Sequence, residues 1–152
     1  MKIRELGIED FSTHKDTILE MLIDSYTSNF GVSYKTSISI AYEKIDQIPC
    51  YLEQNNAILV GAFEKGKLIG IVWLYKHKYF NELRLHINQI IIEKNCRGKG
   101  IGTILITEVQ KIAKDKGIRT IDLLVSESNL KVVELYNSLG FITERRRMKK
   151  EL

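Results

Sequence analysis

Residues Cys96 to Gly102 read CRGKGIG: three glycines and two cations in seven positions, with an apolar run of helical period directly behind them. Glycine at that density lets a backbone come close to a ligand, and the amides that open a helix attract anions. The chemistry on offer is anion binding, with Arg97 and Lys99 supplying charge of the right sign.

Three glycine loops compete for this role. A P-loop requires G-x-x-x-x-G-K-[ST], and no complete copy occurs. A dinucleotide fingerprint requires G-x-G-x-x-G early in a strand–turn–helix unit, whereas Gly98, Gly100 and Gly102 give G-x-G-x-G late in the chain. The third pattern, [Q/R]-x-x-G-x-[G/A], is matched in full by Arg97 to Gly102.

The elements that must position this loop follow from periodicity. KIREL at 2–6 suggests a first strand, and DFSTHKDTILEMLIDSYTSNF suggests a helix with Ile18, Leu22 and Tyr26 on one face. A second helix is expected from about Ser37 to Ile48, ended by Pro49. AILVGAF and LIGIVWLYKHK, joined by EKGK, form a hairpin, and LHINQIII is a third strand at the centre of the sheet. Behind the loop, Ile101, Leu105, Val109, Ile112 and Ala113 share a helix face closed by Gly117. IRTIDLLV is a further strand. A helix from about Asn129 carries Val132, Leu135, Tyr136 and Leu139 along one face, and FITERRRMKKEL makes a final strand. The order β-α-α-β-β-β-α-β-α-β describes a mixed α/β fold, a predominantly antiparallel central sheet flanked by helices.

Composition bounds the setting. A length of 152 residues fits one domain, residues 1–152, with no linker, repeat or low-complexity segment. A chain this long buries roughly 70% of its unfolded surface, enough for a core without staples. Cys50 and Cys96 make no metal or redox spacing and read as isolated thiols. MKIRELGIED has no apolar signal core, and no run approaches a membrane span, so a cytoplasmic protein with no membrane partner is expected. The net charge of +4 suits an anionic ligand without specifying one. ERRRMKKEL is no nucleic-acid handle, because on a strand Arg145 and Arg147 face away from Arg146. His14 and His77 stand alone, and no metal is expected. Trp73, Tyr75 and Tyr79 alternate on one strand and could line either the core or an acceptor pocket.

From about Leu85 to Phe141 the chain resembles the GNAT superfamily of acyl-CoA N-acyltransferases. R-G-K-G-I-G follows an apolar strand and precedes a helix and a strand. NLKVVELYNSLGF then resembles the family's N-x-x-A-x-x-L-Y-x-x-x-G-F. The resemblance implies the family's fold over nearly the whole chain. It also implies acetyl-CoA as cosubstrate, its pyrophosphate resting on the backbone of Arg97, Gly98, Lys99, Gly100, Ile101, Gly102 and Thr103. It implies that free main-chain groups of Ile90, Ile91 and Ile92 take the pantetheine arm and the thioester carbonyl, and that Asn129 contacts the same arm. Lys94 stands where the family often has proline, and Val132 where it has the smaller alanine, an exchange that could narrow the coenzyme groove.

Acetyl transfer to an amine needs a neutral nucleophile, a site for the oxyanion and a proton for the leaving thiolate. An alkylamine of pKa about 10.4 costs about 4.6 kcal/mol to neutralise at pH 7, so a base or a water relay is expected. By the resemblance, His86 is the base: it lies eleven residues before Arg97, where family members carry Glu or His. Asn88 could order a water instead, and Glu82 and Glu93 are alternatives. Tyr136 of the Leu-Tyr pair would face the coenzyme sulfur. A phenol near 10 against a thiol near 8.5 makes full proton transfer uphill by roughly 2 kcal/mol, so its contribution is a hydrogen bond that completes late. Cys96 has no partner that would make it a nucleophile. The acceptor is expected to be a small-molecule amine. A protein amine, or a non-catalytic acyl-CoA sensor on the same fold, is the alternative, and the resemblance also admits a homodimer.

Overall fold

Near-continuous apolar runs along residues 57–92, buried on both faces, build the centre of the molecule. The computed structural model describes all 152 residues. Strand β1 (Lys2–Leu6) precedes helices α1 (Ile8–Phe30) and α2 (Tyr34–Glu53). Strands β2 (Ala57–Glu64), β3 (Lys67–Tyr79) and β4 (Glu82–Ile92) follow, then a 3-10 turn at Lys94–Cys96 and helix α3 (Ile101–Asp115). Strand β5 (Thr120–Leu123) and helix α4 (Leu130–Ser138) complete the order.

The sheet runs β1-β2-β3-β4-β5; its first three junctions are antiparallel and β4–β5 is parallel. Because side chains alternate across a strand, the sheet carries a core on each face. Leu59, Ile71, Trp73 and Ile91 point towards α1 and α2, where Ile18, Leu22, Ile45 and Ile48 meet them. Val60, Val72, Leu74 and Leu85 point the other way, onto Leu105 and Val109 of α3. Each such side chain contributes about 1.5–3 kcal/mol on burial.

Helix ends are set locally. The Ser33 hydroxyl accepts from the Thr36 amide at 3.2 Å, and the Asp10 carboxylate accepts from the Gly7 amide at 3.1 Å. Helix α2 runs past Pro49 to Glu53 instead of stopping before it. The proline removes one ladder bond, but Ile45 and Ile48 are fully buried on the preceding turn, and the Gln54 amide donates to the Cys50 carbonyl at 3.1 Å.

The expected strand at IRTIDLLV shortens to Thr120–Leu123, with Leu124 80% exposed. The final strand does not form: residues 141–152 have no regular structure. FITERRRMKKEL has no alternating apolar stripe to bury, and Ile142 and Met148 face solvent. Ion pairs hold its beginning instead. Arg84 Nη1 and Nη2 donate to Glu144 Oε2 and Oε1 at 2.7 and 2.9 Å, and the Arg145 guanidinium lies 4.6 Å from the Tyr79 ring centre. No helix is long and apolar enough to cross a membrane.

Candidate active site

The site begins at an irregularity in β4. Register with β3 passes from Trp73↔Gln89 to Leu74↔Ile87, leaving Asn88 as an extra residue. A bulge of this kind bends its strand and re-aims side chains. On the other side, β5 pairs with β4 only from Arg84↔Thr120 to Ile87↔Leu123. Residues 88–92, including Ile90, Ile91 and Ile92, therefore have no neighbouring strand on that edge, and the two parallel strands part there. The side chains of Ile90, Ile91 and Ile92 are apolar, so what these three offer a ligand is main chain.

His86 sits just before the bulge, directly opposite Asp122 on β5. Its Nδ1 lies 2.6 Å from Asp122 Oδ1, and its side chain is 13% exposed. His77 of β3 brings Nε2 to 2.9 Å from Asp122 Oδ2. An ionised carboxylate only accepts, so both facing nitrogens carry protons, and in a neutral His86 the ring's acceptor is Nε2. Arg84 Nη1 stands 3.6 Å from the same carboxylate, and the Tyr75 ring centre is 4.7 Å from that of His86. His77 thus does not stand alone. Residues 77, 86 and 122 bring ligand-type atoms within 4.8 Å of one another, with the carboxylate shared between the imidazoles. Sequence reading missed Asp122 because 36 residues separate it from His86, and only a register assignment for β5 would have found it.

The glycine loop forms the second part. A single 3-10 turn at Lys94–Cys96 makes the bend at the end of β4, without a proline. Gly98 and Gly100 have φ of 74° and 77°, which side chains rarely adopt. Gly102 has an ordinary φ and open space where a Cβ would stand, so nothing inside the fold calls for glycine there. The amides of Gly98, Lys99, Gly100, Ile101, Gly102 and Thr103 donate to no backbone carbonyl. The first helical bond beyond them is from Ile104 to Gly100 at 3.1 Å. Aligned free amides at the positive end of a 15-residue helix make an anion cradle.

Arg97 turns away from this cradle. Its Nε donates to the Ile92 carbonyl at 3.0 Å and its Nη2 pairs with Asp24 of α1, tying α1 to the end of β4. Cys96 bonds to Glu93, and that carboxylate, with burial second, pushes the thiol pKa up and away from nucleophile chemistry. Glu82 is engaged with Thr120 and then Arg84, which lower its pKa.

Tyr136 on α4 packs edge-on against Phe141 with centroids 5.4 Å apart, and burial raises its phenol pKa. No hydrogen bond or ring contact joins it to His86. Asn129 occupies the N-cap position of α4 without a side-chain cap bond.

A cavity of about 230 Å³ opens beside the bulge, lined by Lys44, Gln47, Tyr51, Trp73, Tyr75 and Asn88. Trp73 and Tyr75 therefore line a pocket, whereas Tyr79 lies under the guanidinium of Arg84 at 3.9 Å. A smaller cavity lies between Ser25 and Asn29 of α1, the end of β4 and Arg97.

Residues 16–141 match the profile of the Acetyltransferase (GNAT) family. An N-alpha-acetyltransferase of Arabidopsis thaliana is 32% identical over 85 residues, 56% of this chain and 45% of that protein. The chain spans less than half the length of the first curated relatives it matches. A spermidine N(1)-acetyltransferase of Thermoplasma acidophilum is 28% identical over 95% of this chain and 89% of its own. An aminoglycoside acetyltransferase from an uncultured soil sample superposes with a TM-score of 0.76 at 18% identity, covering 99% of this chain and 97% of that one. That likeness shows the shared fold.

Proposed function

Because this chain belongs to the acetyltransferase (GNAT) family, we propose that it moves the acetyl group of acetyl-CoA directly onto a primary amine of a small molecule. The observation that carries the reading is the unbroken run of free amides from Gly98 to Thr103, set just beyond the open edge of β4. The coenzyme's pyrophosphate would rest on that run, with Lys99 adding charge and Arg97 holding the loop to α1. The pantetheine arm would follow the edge of Ile90 to Ile92 that β5 leaves uncovered, past Asn129, where a backbone amide receives the thioester oxygen as negative charge develops.

The amine nitrogen attacks the thioester carbon; the new C–N bond forms as the C–S bond breaks. The amine proton goes to Nε2 of His86, directly or through a water held by Asn88, while Asp122 keeps the other ring nitrogen protonated and the ring in place. The departing sulfur takes a hydrogen bond, then a proton, from Tyr136. Its burial-raised pKa favours late transfer. Nothing in this scheme passes through a metal or a covalent enzyme intermediate.

Cores on both faces of one sheet support residues 1–152 acting as a single domain. A cytoplasmic setting and a homodimer belong to the same proposal, the latter checked by sedimentation. A small acceptor is favoured by a cavity of only about 230 Å³ walled by Tyr75, whose ring centre is 4.7 Å from that of His86. A protein amine is the second reading, favoured by the Arabidopsis relative's name. The test is thiol release from acetyl-CoA with polyamines, amino sugars, amino acids, aminoglycosides and lysine peptides, alongside calorimetry of acetyl-CoA binding. Tight binding with no thiol release from any amine would leave a sensor, and no binding would end the proposal.

A further inference from the structure

The cavity beside the bulge has a chemical bias of its own. Trp73 is 3% exposed, and its Nε1 is the one buried side-chain nitrogen or oxygen with no hydrogen-bond partner. A buried N–H left in that state is disfavoured, and the indole that carries it is one wall of the cavity. Lys44 lines the same space and makes neither an ion pair nor a hydrogen bond, and Gln47 and Asn88 also make no side-chain bond. None of the six lining residues is acidic. A polyamine site needs carboxylates; this one presents an unpaired cation and an unpaired donor.

Tyr75, one wall of the cavity, brings its ring centre to 4.7 Å from that of His86, the base to which an amine would give up its proton. Lys44 and Gln47 are brought to the same cavity by α2, and Trp73 by β3. We propose that this pocket takes a small amine that also carries a carboxylate: the amine faces His86, and the carboxylate meets Lys44 and the Trp73 N–H. The identity of the acceptor end rests on the acetyltransferase reading above; the carboxylate end does not. At about 230 Å³ the space suits an amino-acid-sized molecule, below the roughly 300–1,000 Å³ of drug-sized sites. Tyr51 and Tyr75 supply flat walls for its carbon skeleton.

Trp73 is the chain's single tryptophan, so its emission reports occupancy of this pocket without any need for turnover. The probes are matched pairs: L-lysine with cadaverine, L-ornithine with putrescine, and L-phenylalanine with phenethylamine, plus spermidine. In titrations of emission, at least one carboxylated member should bind about ten- to hundredfold more tightly than its decarboxylated twin, the worth of a charged hydrogen bond. Lys44→Gln should shrink that ratio towards one. In the thiol-release assay, Trp73→Phe should shrink the kcat/KM ratio within the same pair, chiefly through KM.

Equal or tighter binding of the decarboxylated amines or of spermidine overturns the proposal, as does a ratio unchanged by both substitutions or silence from every probe. Emission changes with the amino acids but no acetyl-CoA binding would instead sink the acetyltransferase reading and leave the carboxylate pocket standing.

Discussion

His86 Nδ1 lies 2.6 Å from Asp122 Oδ1, across a parallel strand pair that ends one residue later. One carboxylate thereby holds two imidazoles, since His77 Nε2 sits 2.9 Å from the other oxygen. An amide at position 122 could accept from one ring only, so the other would have to change tautomer.

Asp122→Asn should therefore lower kcat about tenfold or more while leaving KM for acetyl-CoA near that of the parent. Steady-state kinetics in both substrates checks it. An unaltered kcat would make Asp122 a packing partner of the two rings.

His86→Ala should depress kcat by about a hundredfold, the lower range for a positioned base. The deficit should be largest at low pH and narrow as pH rises, because the free amine then supplies its own lone pair. A pH–rate profile parallel to the parent's would hand the proton to water.

Gly102→Ala separates fold from ligand. Position 102 has an ordinary φ and an empty Cβ site, so alanine should raise helix stability by about 0.5–1 kcal/mol. The same methyl stands in the proposed path of the pyrophosphate and should weaken acetyl-CoA binding by about tenfold. Thermal melts and calorimetry on one variant read both effects.

Tyr136→Phe should lower kcat by about tenfold, the loss of one hydrogen bond to developing charge, with acetyl-CoA affinity nearly intact. Rapid-quench single turnovers locate the deficit in the chemical step. A rate equal to the parent's would assign Tyr136 to its contact with Phe141.

Acid should loosen the molecule at two places. Hydrogen bonding to Arg84 lowers the Glu144 pKa, and Arg4 holds Asp10 down to about 2. With folded values below unfolded ones, the stability these pairs contribute is present above the unfolded carboxylate range and is lost as pH falls towards the folded values. Tm measured from pH 6 to pH 2 should fall below about pH 4, and Glu144→Gln should blunt that fall. A Tm in the variant as acid-sensitive as the parent's would deny the Arg84 pair a role.

Much of the fold was legible because its signals are local. Ile101, Leu105, Val109, Ile112 and Ala113 recur at helical spacing and all end up buried on α3. EKGK between two apolar runs dictates the β2–β3 hairpin, and CRGKGIG places free amides at a helix start whatever surrounds it. The misreadings came where a tertiary constraint outweighs a local one: Pro49 sits inside α2 because Ile45 and Ile48 anchor the turn before it. FITERRRMKKEL stays irregular because a strand needs an apolar face and a partner, and its glutamate meets Arg84 instead.

By itself, then, the sequence determined the element order as far as α4, the loop and the family, since each depends on residues close together in the chain. Only the tertiary structure decided that Asp122 would stand between His77 and His86, that Arg97 would pair with Asp24, and that Lys44, Trp73 and Asn88 would line one cavity. Those pairings depend on strand register and on how α1 and α2 dock. Register is fixed by burying whole faces at once, a property of the folded core that no short window of residues contains.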